Sequence, residues 1–333
     1  MRNKCIEIEK IGCFHIREHE LRQCTDHEVL LKVEITGLCR TDLKIIETGH
    51  RDLVLPRVPG EEVVGTIIEK GSAVNQFTIG DTVYVYPGKW CGTCLSCKID
   101  AHNLCKSMEI MGFHRDGGFA EYVFAPAQSL IKVPQKCTTL EAVFAEPLSC
   151  CLNALENGKI TCEDEVGIWG AGPAGTLLAR ASGVIAKSVT IIEPDIERCN
   201  RAGGVQSPPD RLFDLAIVAT NESTAYLEAL SHLAPKGRVV IFSGITPGKA
   251  FQTVNLDTIH YNEQMIIGAY GCCYRHGVKA LDMLSKKQVV VTDMVSHILS
   301  LWDLQTGLSI VKYKKGMKVL LDPWKESGEK NEL

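Results

Sequence analysis

Residues 166–181 read VGIWGAGPAGTLLARA: a short apolar strand, glycines at 170, 172 and 175 in the order GxGxxG, then a helix of small residues. Gly170 permits a tight turn, Gly172 lets the backbone approach a pyrophosphate, and Gly175 lets the helix pack closely on the strand. A second apolar run, SVTII, ends at Glu193, eighteen residues after Gly175. A carboxylate there accepts hydrogen bonds from an adenosine ribose and repels a 2′-phosphate, so the pattern predicts NAD rather than NADP. An isolated GxGxxG is often a plain helix-packing turn. Strand, helix and acid in the right order favour dinucleotide binding here.

Outward from this turn, between residues 147 and 271, strands alternate with helices: VGIWG, SVTII, FDLAIVA, GRVVIFSG and QMIIGAY, with STAYLEALSHL among the helices. That order predicts a parallel, doubly wound sheet. The stretch from Glu193 to Phe213 is short for a further strand plus helix, and SPPD interrupts it, so this half of the sheet is expected to be trimmed. Residues 1–146 instead alternate apolar runs with Gly, Pro and Asp, as in VLLKVEITG, VVGTIIEKG and DTVYVYP. They predict a β-rich, barrel-like domain.

Within that domain, WCGTCLSCKIDAHNLC sets Cys91, Cys94, Cys97 and Cys105 at a spacing that closes tetrahedrally around one zinc. Such a lobe, spanning about 88–107, is structural, because no ligand position stays open for chemistry. Four unrelated core cysteines are the bland alternative, and the agreement of spacing, loop glycine and polar residues weighs against it. The other cysteines, including the pairs 150/151 and 272/273, have mostly small or apolar neighbours and read as buried, unreactive thiols.

A chain of 333 residues, 45% hydrophobic and 23% charged, can bury two cores. A net charge of −4 without a sustained Lys/Arg run leaves no electrostatic footprint for nucleic acid or an anionic membrane. Fifteen cysteines, an odd number, with no signal peptide and no apolar span of membrane length, predict a reducing cytoplasm. The closing KNEL is read as a solvated tail. His15 and His19 in HIREH lack the Glu and the helix of a zinc-protease motif, and His50 reads as a loop residue. None of the three is assigned a role.

From about Val29 to Leu321 the chain resembles the zinc-containing, medium-chain alcohol and polyol dehydrogenases. The resemblance rests on GLCRTDLK, PGEEVVG, GDTVYVYP, the four-Cys lobe, GFHRDGGFAEYV, AEPLSC and the glycine turn. Its GFAEYV and EPL segments look most like the sorbitol, threonine and aminocyclitol dehydrogenase branch. The resemblance implies a GroES-like catalytic domain over 1–146 and 272–333, a Rossmann domain over 147–271, and a homodimer or homotetramer joined through the Rossmann sheet edges. It implies chemistry in the cleft between the domains, with a metal on Cys39, the PGEE segment and Glu146. That metal would polarise the oxygen of a secondary alcohol on a polyol, sugar, amino alcohol or cyclitol. Thr41 matches the hydroxyl that passes the proton on, and Lys44 falls where many members carry a relay histidine. Arg40 and Lys318 match bases that grip the pyrophosphate. A surface cation is the bland reading of all three.

One departure is sharp. Where the family has Gly-His-Glu, this chain has Gly60, Glu61 and Glu62. Glu61 can ligate zinc, but it replaces a neutral nitrogen with a negative charge; Glu62 reads as a supporting residue or as half of an ion pair. Asp42, whose counterpart orients the lost histidine, has no imidazole N–H to accept. Asp42, Glu61, Glu62 and Glu146 would crowd four acids together, a repulsion that a divalent metal would relieve directly and that Arg40 and Lys44 could instead relieve in part. Two other readings stay open: a reductase of an activated double bond with no metal in the cleft, and a non-catalytic nucleotide-binding protein that keeps only the structural zinc.

Overall fold

The computed structural model describes residues 1–246 and 248–328, so the KNEL tail lies outside the described residues. The chain forms two compact units: Met1–Glu146 with Cys273–Lys287 and the segment from Val291 onward, and Pro147–Cys272 with Gln288–Val290.

The first unit opens with an antiparallel hairpin, β1 (Arg2–Lys10) and β2 (Cys13–Glu20). It continues through β3 (Glu28–Leu38), α1 (Arg40–Glu47), β4 (Glu62–Lys70), β5 (Thr82–Val85), β6 (Tyr122–Pro126) and β7 (Leu130–Lys132). Helix α2 (Ala145–Asn157) leads into the second unit. There β8 (Glu165–Trp169), α3 (Pro173–Gly183), β9 (Ser188–Ile192), α4 (Ile196–Ala202), β10 (Phe213–Val218), α5 (Ser223–Ser231), β11 (Leu233–Ile241) and β12 (Met265–Gly268) alternate as expected. The chain then returns to the first unit with α6 (Tyr274–Ser285), β13 (Val295–Ser300), α7 (Leu304–Lys312) and β14 (Lys318–Asp322).

The first unit is built on a seven-stranded sheet in the order β13-β14-β3-β4-β5-β7, with β6 also paired to β3. Its pairs are antiparallel except for β13 with β14. Alternation along β3, β4 and β5 buries Val29, Leu31, Val33, Ile67, Val83 and Val85 in one core. A second core joins Ile6 and Ile8 of β1 with Leu43, Ile45 and Ile46 of α1, Leu304 and Leu308 of α7 and Val319 and Leu321 of β14.

The second unit is a five-stranded, fully parallel sheet in the order β9-β8-β10-β11-β12. Trp169, Phe213, Ala216, Val218 and Val239 pack there against Tyr226 and Ala229 of α5. Between Glu193 and Phe213, α4 forms, but the strand after it shrinks to a single bridge, Ile192 with Val205. Pro208 and Pro209 follow at once and carry no N–H to donate to a ladder.

Candidate active site

Three strands build the floor of the GEE segment. Gly37 of β3 stands opposite Glu62 of β4 on one side and Leu320 of β14 on the other. A Cβ on Gly37 would lie 1.9 Å from Glu62 Oε2, so the missing side chain is what leaves room for that carboxylate. Into the same space comes Lys318, two residues before Leu320 on the same face of β14, to ion-pair with Glu62. Both side chains are only 3% exposed. The resemblance implied a pyrophosphate contact for Lys318 and a place near a metal for Glu62. In the structure each is the other's counter-ion, because a buried ammonium and a buried carboxylate are tolerated only when paired.

Gly60 has φ +102, a value that favours glycine, and the turn it makes packs against the GGF segment. Gly117 N donates to Val58 O at 2.7 Å, Gly118 N to Gly60 O at 3.0 Å and Phe119 N to Pro59 O at 3.0 Å. A Cβ on Gly117 would meet Gly60 O at 2.4 Å. The PGEE and GGFAEYV motifs are thus two halves of one backbone contact.

Helix α1 begins at Cys39, its N-cap, and Asp42 Oδ2 accepts the Cys39 N–H at 2.9 Å. Asp42 therefore caps the helix, which gives this acid a role without an imidazole. Its other oxygen, Oδ1, is buried with no hydrogen-bond partner. Burial, with Glu62 beside it, pushes Asp42 up to about 6. Burial also drives Glu61 well above the carboxylate range, aided by Glu146, Asp42 and Glu62. The Cys39 thiol rises for the same reasons, desolvation first, then Asp42, Glu62 and Glu61, while Lys318 opposes. Arg40, Thr41 and Lys44 lie exposed on α1.

Cys39, Asp42, Glu61, Glu62, Glu146 and Lys318 thus share one electrostatic neighbourhood. A thiol and four carboxylates face a single ammonium, and one buried carboxylate oxygen is orphaned; that donor chemistry and surplus of acid fit a divalent cation. The spacing is looser than the expected ligand set. Among the described residues, no group of three or more ligand atoms within 4.8 Å of one another includes Cys39, Glu61 or Glu62.

The four-cysteine lobe does meet the metal test. Its sulfurs lie 3.9 Å (Cys91 to Cys97), 3.5 Å (Cys94 to Cys97), 3.9 Å (Cys94 to Cys105) and 3.6 Å (Cys105 to Cys91) apart. A tetrahedron with zinc–sulfur bonds of about 2.3 Å requires edges of about 3.8 Å. The backbone N–H groups of Thr93 and Cys94 lower the Cys91 thiol to about 5, which makes it a thiolate at neutral pH. Burial and the adjoining sulfurs push Cys97 up to about 12, so without a cation the lobe cannot hold four thiolates. The lobe is tied to the start of α6: Cys273 Sγ donates to Asn103 Oδ1 at 3.0 Å, and Arg275 Nη1 to Asp100 O at 3.0 Å.

In the second unit, Gly170 has φ +111, and a Cβ on Gly175 would lie 1.8 Å from Gly170 O. The turn can therefore be closed only by glycine. Glu193, 4% exposed, accepts Ala171 N–H at 2.9 Å on Oε2 and Asp195 N–H at 3.2 Å on Oε1, and it ion-pairs with Arg198. Three of its roughly four lone-pair sites are taken, which leaves one for a ribose hydroxyl. Arg198 escaped the sequence reading. Asp195 caps α4 by accepting Arg198 N–H at 2.9 Å, so reading PDIER as a helix start would have placed this arginine beside Glu193.

Residues 25–135 match the alcohol dehydrogenase GroES-like domain family. An uncharacterized zinc-type alcohol dehydrogenase-like protein of Haemophilus influenzae is 34% identical over 92% of this chain and 94% of its own. A sorbitol dehydrogenase of Halalkalibacterium halodurans is 27% identical over 94% and 96%. Among solved structures, a putative zinc-binding dehydrogenase from Sinorhizobium meliloti bound to NADP superposes with TM-score 0.90 at 25% identity, covering 97% of this chain and all of that one. A short chain alcohol dehydrogenase from Escherichia coli CFT073, complexed with NADH, superposes with TM-score 0.89 at 28% identity over 96% and 99%. A GroES-like unit with a thiolate lobe, joined in one chain to a nucleotide-binding Rossmann sheet, defines a two-domain oxidoreductase. The chain belongs to the zinc-containing, medium-chain alcohol dehydrogenase family.

Proposed function

We propose that this oxidoreductase is an NAD-dependent dehydrogenase of a small polyhydric secondary alcohol: a polyol, sugar, amino alcohol or cyclitol. The observation that carries the reading is the buried acid and thiol cluster at the start of α1, in a chain that also keeps an intact dinucleotide turn. The sorbitol dehydrogenase relative supports the substrate class. Glu193, with one acceptor site left, supports NAD, although Arg198 weakens the electrostatic bar to a 2′-phosphate.

Cys39, Glu61 and Glu146 would hold a divalent metal, and Glu62 with Lys318 would support it from behind. Such an ion, when bound, acts as a Lewis acid toward the alcohol oxygen. Asp42 holds the first turn of α1, and with it Cys39, in place. Thr41 and Lys44, exposed on that helix, are the groups we assign to carrying the alcohol proton to solvent. Arg40 at its first residue is assigned to the pyrophosphate. Gly170, Gly172 and Gly175 leave the turn open to that pyrophosphate. The zinc of the lobe is structural. We assign the protein to the cytoplasm, and its partner to a second copy paired along β12, the edge of the Rossmann sheet, where Met265 and Ile266 are each 44% exposed.

The test is NAD+ and NADP+ reduction across a panel of polyols and sugars, run with elemental analysis of protein purified without added metal. Two zinc equivalents per chain and turnover with NAD+ are expected. One equivalent, no alcohol oxidation, and NADH consumption with activated alkenes would overturn the reading.

A further inference from the structure

Besides the four-cysteine lobe, one further group among the described residues brings three metal-ligating atoms together. A carboxylate oxygen of Glu146 and the sulfurs of Cys150 and Cys272 all lie within 4.8 Å of one another. The sequence reads Cys150 and Cys272 as buried, unreactive thiols. Cys272 is indeed buried, but Glu146 and Cys150 keep part of their surface in solvent.

One helix and the segment docked on it set this arrangement. Glu146 and Cys150 stand four residues apart on α2, one turn and therefore one face. Asn153 continues that face, and its Nδ2 donates to Gly271 O at 2.9 Å and to Tyr270 O at 3.4 Å. Those bonds hold the stretch after β12 against α2, and Gly271, with φ +55, turns it where Cys272 meets Cys150. Cys150, Asn153 and Cys272 all belong to the second unit, and Glu146 rides on the same helix.

Two sulfurs and a carboxylate suit zinc and disfavour magnesium or calcium, which take oxygen ligands. Zinc–sulfur bonds of about 2.3 Å and zinc–oxygen bonds of about 2.0–2.2 Å set tetrahedral ligand atoms about 3.5–3.8 Å apart, a spacing this group can meet. Three protein ligands also leave the fourth position open to water, which the lobe does not.

We propose that Glu146, Cys150 and Cys272 form a second seat for a zinc-class cation, which displaces the two thiol protons as it binds. The site goes beyond the dehydrogenase reading and does not rest on it, since neither nucleotide nor alcohol enters the argument. Glu146 belongs also to the set with Cys39 and Glu61. Filling one seat therefore withdraws a ligand from the other.

The experiment adds cobalt(II) to the reduced full chain, with its lobe zinc in place, and follows the thiolate-to-cobalt charge-transfer band. It is run in Cys39→Ala, which removes the thiol of the other set. A band that saturates at about one cobalt per chain is expected there, with lobe zinc unchanged by elemental analysis. A further Cys150→Ser or Cys272→Ser should abolish the band, and Glu146→Gln should weaken cobalt binding by roughly tenfold or more. No band in Cys39→Ala, an unchanged band in both serine variants, or cobalt that enters only as zinc leaves the lobe would overturn the site. Should Cys39→Ala lose its cooperative melting, Cys39→Ser removes the same sulfur and takes its place. Alcohol oxidation that survives in Cys39→Ala would count against the ligand set of the dehydrogenase reading and leave this seat standing.

Discussion

Gly37 carries no side chain, and Glu62 occupies the room that this leaves. Gly37→Ala should displace the carboxylate from Lys318 and lower stability by about 1–3 kcal/mol, read as a fall in melting temperature. Lys318→Met, which strands Glu62 in the interior, should cost about 3–5 kcal/mol, and the double variant with Glu62→Leu should recover most of it. Recovery would fail if the pair were needed for more than charge balance. At the neighbouring position, Glu61→His should restore an imidazole for Asp42 to orient and raise zinc in the acid cluster. Elemental analysis with the Cys39→Ala control checks this: zinc gained in Glu61→His must be lost when Cys39 is removed. The loss of the family histidine was visible in the letters GEE. The pairing of Lys318 with Glu62 was not, since it depends on the register of β14 against β3, strands from opposite ends of the chain.

At the scale of elements, the glycine turn and the acid that follows it work as one unit, since Glu193 holds the turn through Ala171 N–H and is itself held by Arg198. Glu193→Ala should weaken NAD binding by roughly tenfold, from lost hydrogen bonds both to ribose and to the turn, and should narrow any preference against NADP. Arg198→Ala should act oppositely on selectivity, leaving a bare carboxylate that disfavours the 2′-phosphate further. Titration of both nucleotides into both variants checks the pair; equal NAD to NADP ratios in all three proteins would remove Glu193 from cofactor choice. The central strands of this sheet, β8 and β10, were legible because each is a continuous apolar run buried on both faces, which its short length distinguishes from a helix. SPPD announced the trimmed strand. Arg198 was legible only through the helix start in PDIER, because its importance comes from the capped turn that aims it.

For the whole molecule, the β-rich segment and the alternating segment were readable from composition and punctuation, whereas the return to the first unit and the crowding of acids around α1 were expected only from the family resemblance. The lobe is the clearest case of local legibility, since all four cysteines lie within fifteen residues. Cys97→Ser should release one zinc equivalent and lower the melting temperature by roughly 5 °C or more, measured by elemental analysis and thermal unfolding. At the sheet edge, Ile266→Lys should shift the protein toward monomer in sedimentation, because a lysine on an open strand edge opposes pairing.

The lobe's grip on α6 through Cys273 and Arg275 extends the consequence of metal loss well beyond the lobe. Those two contacts fasten the first turn of the helix by which the chain re-enters the first unit. A chelator should therefore create two protease-sensitive places at once, one near residue 100 and one near residue 273, although the sequence between them stays folded. Cleavage at the first place without cleavage at the second would mean that the helix start is held by something other than the metal loop.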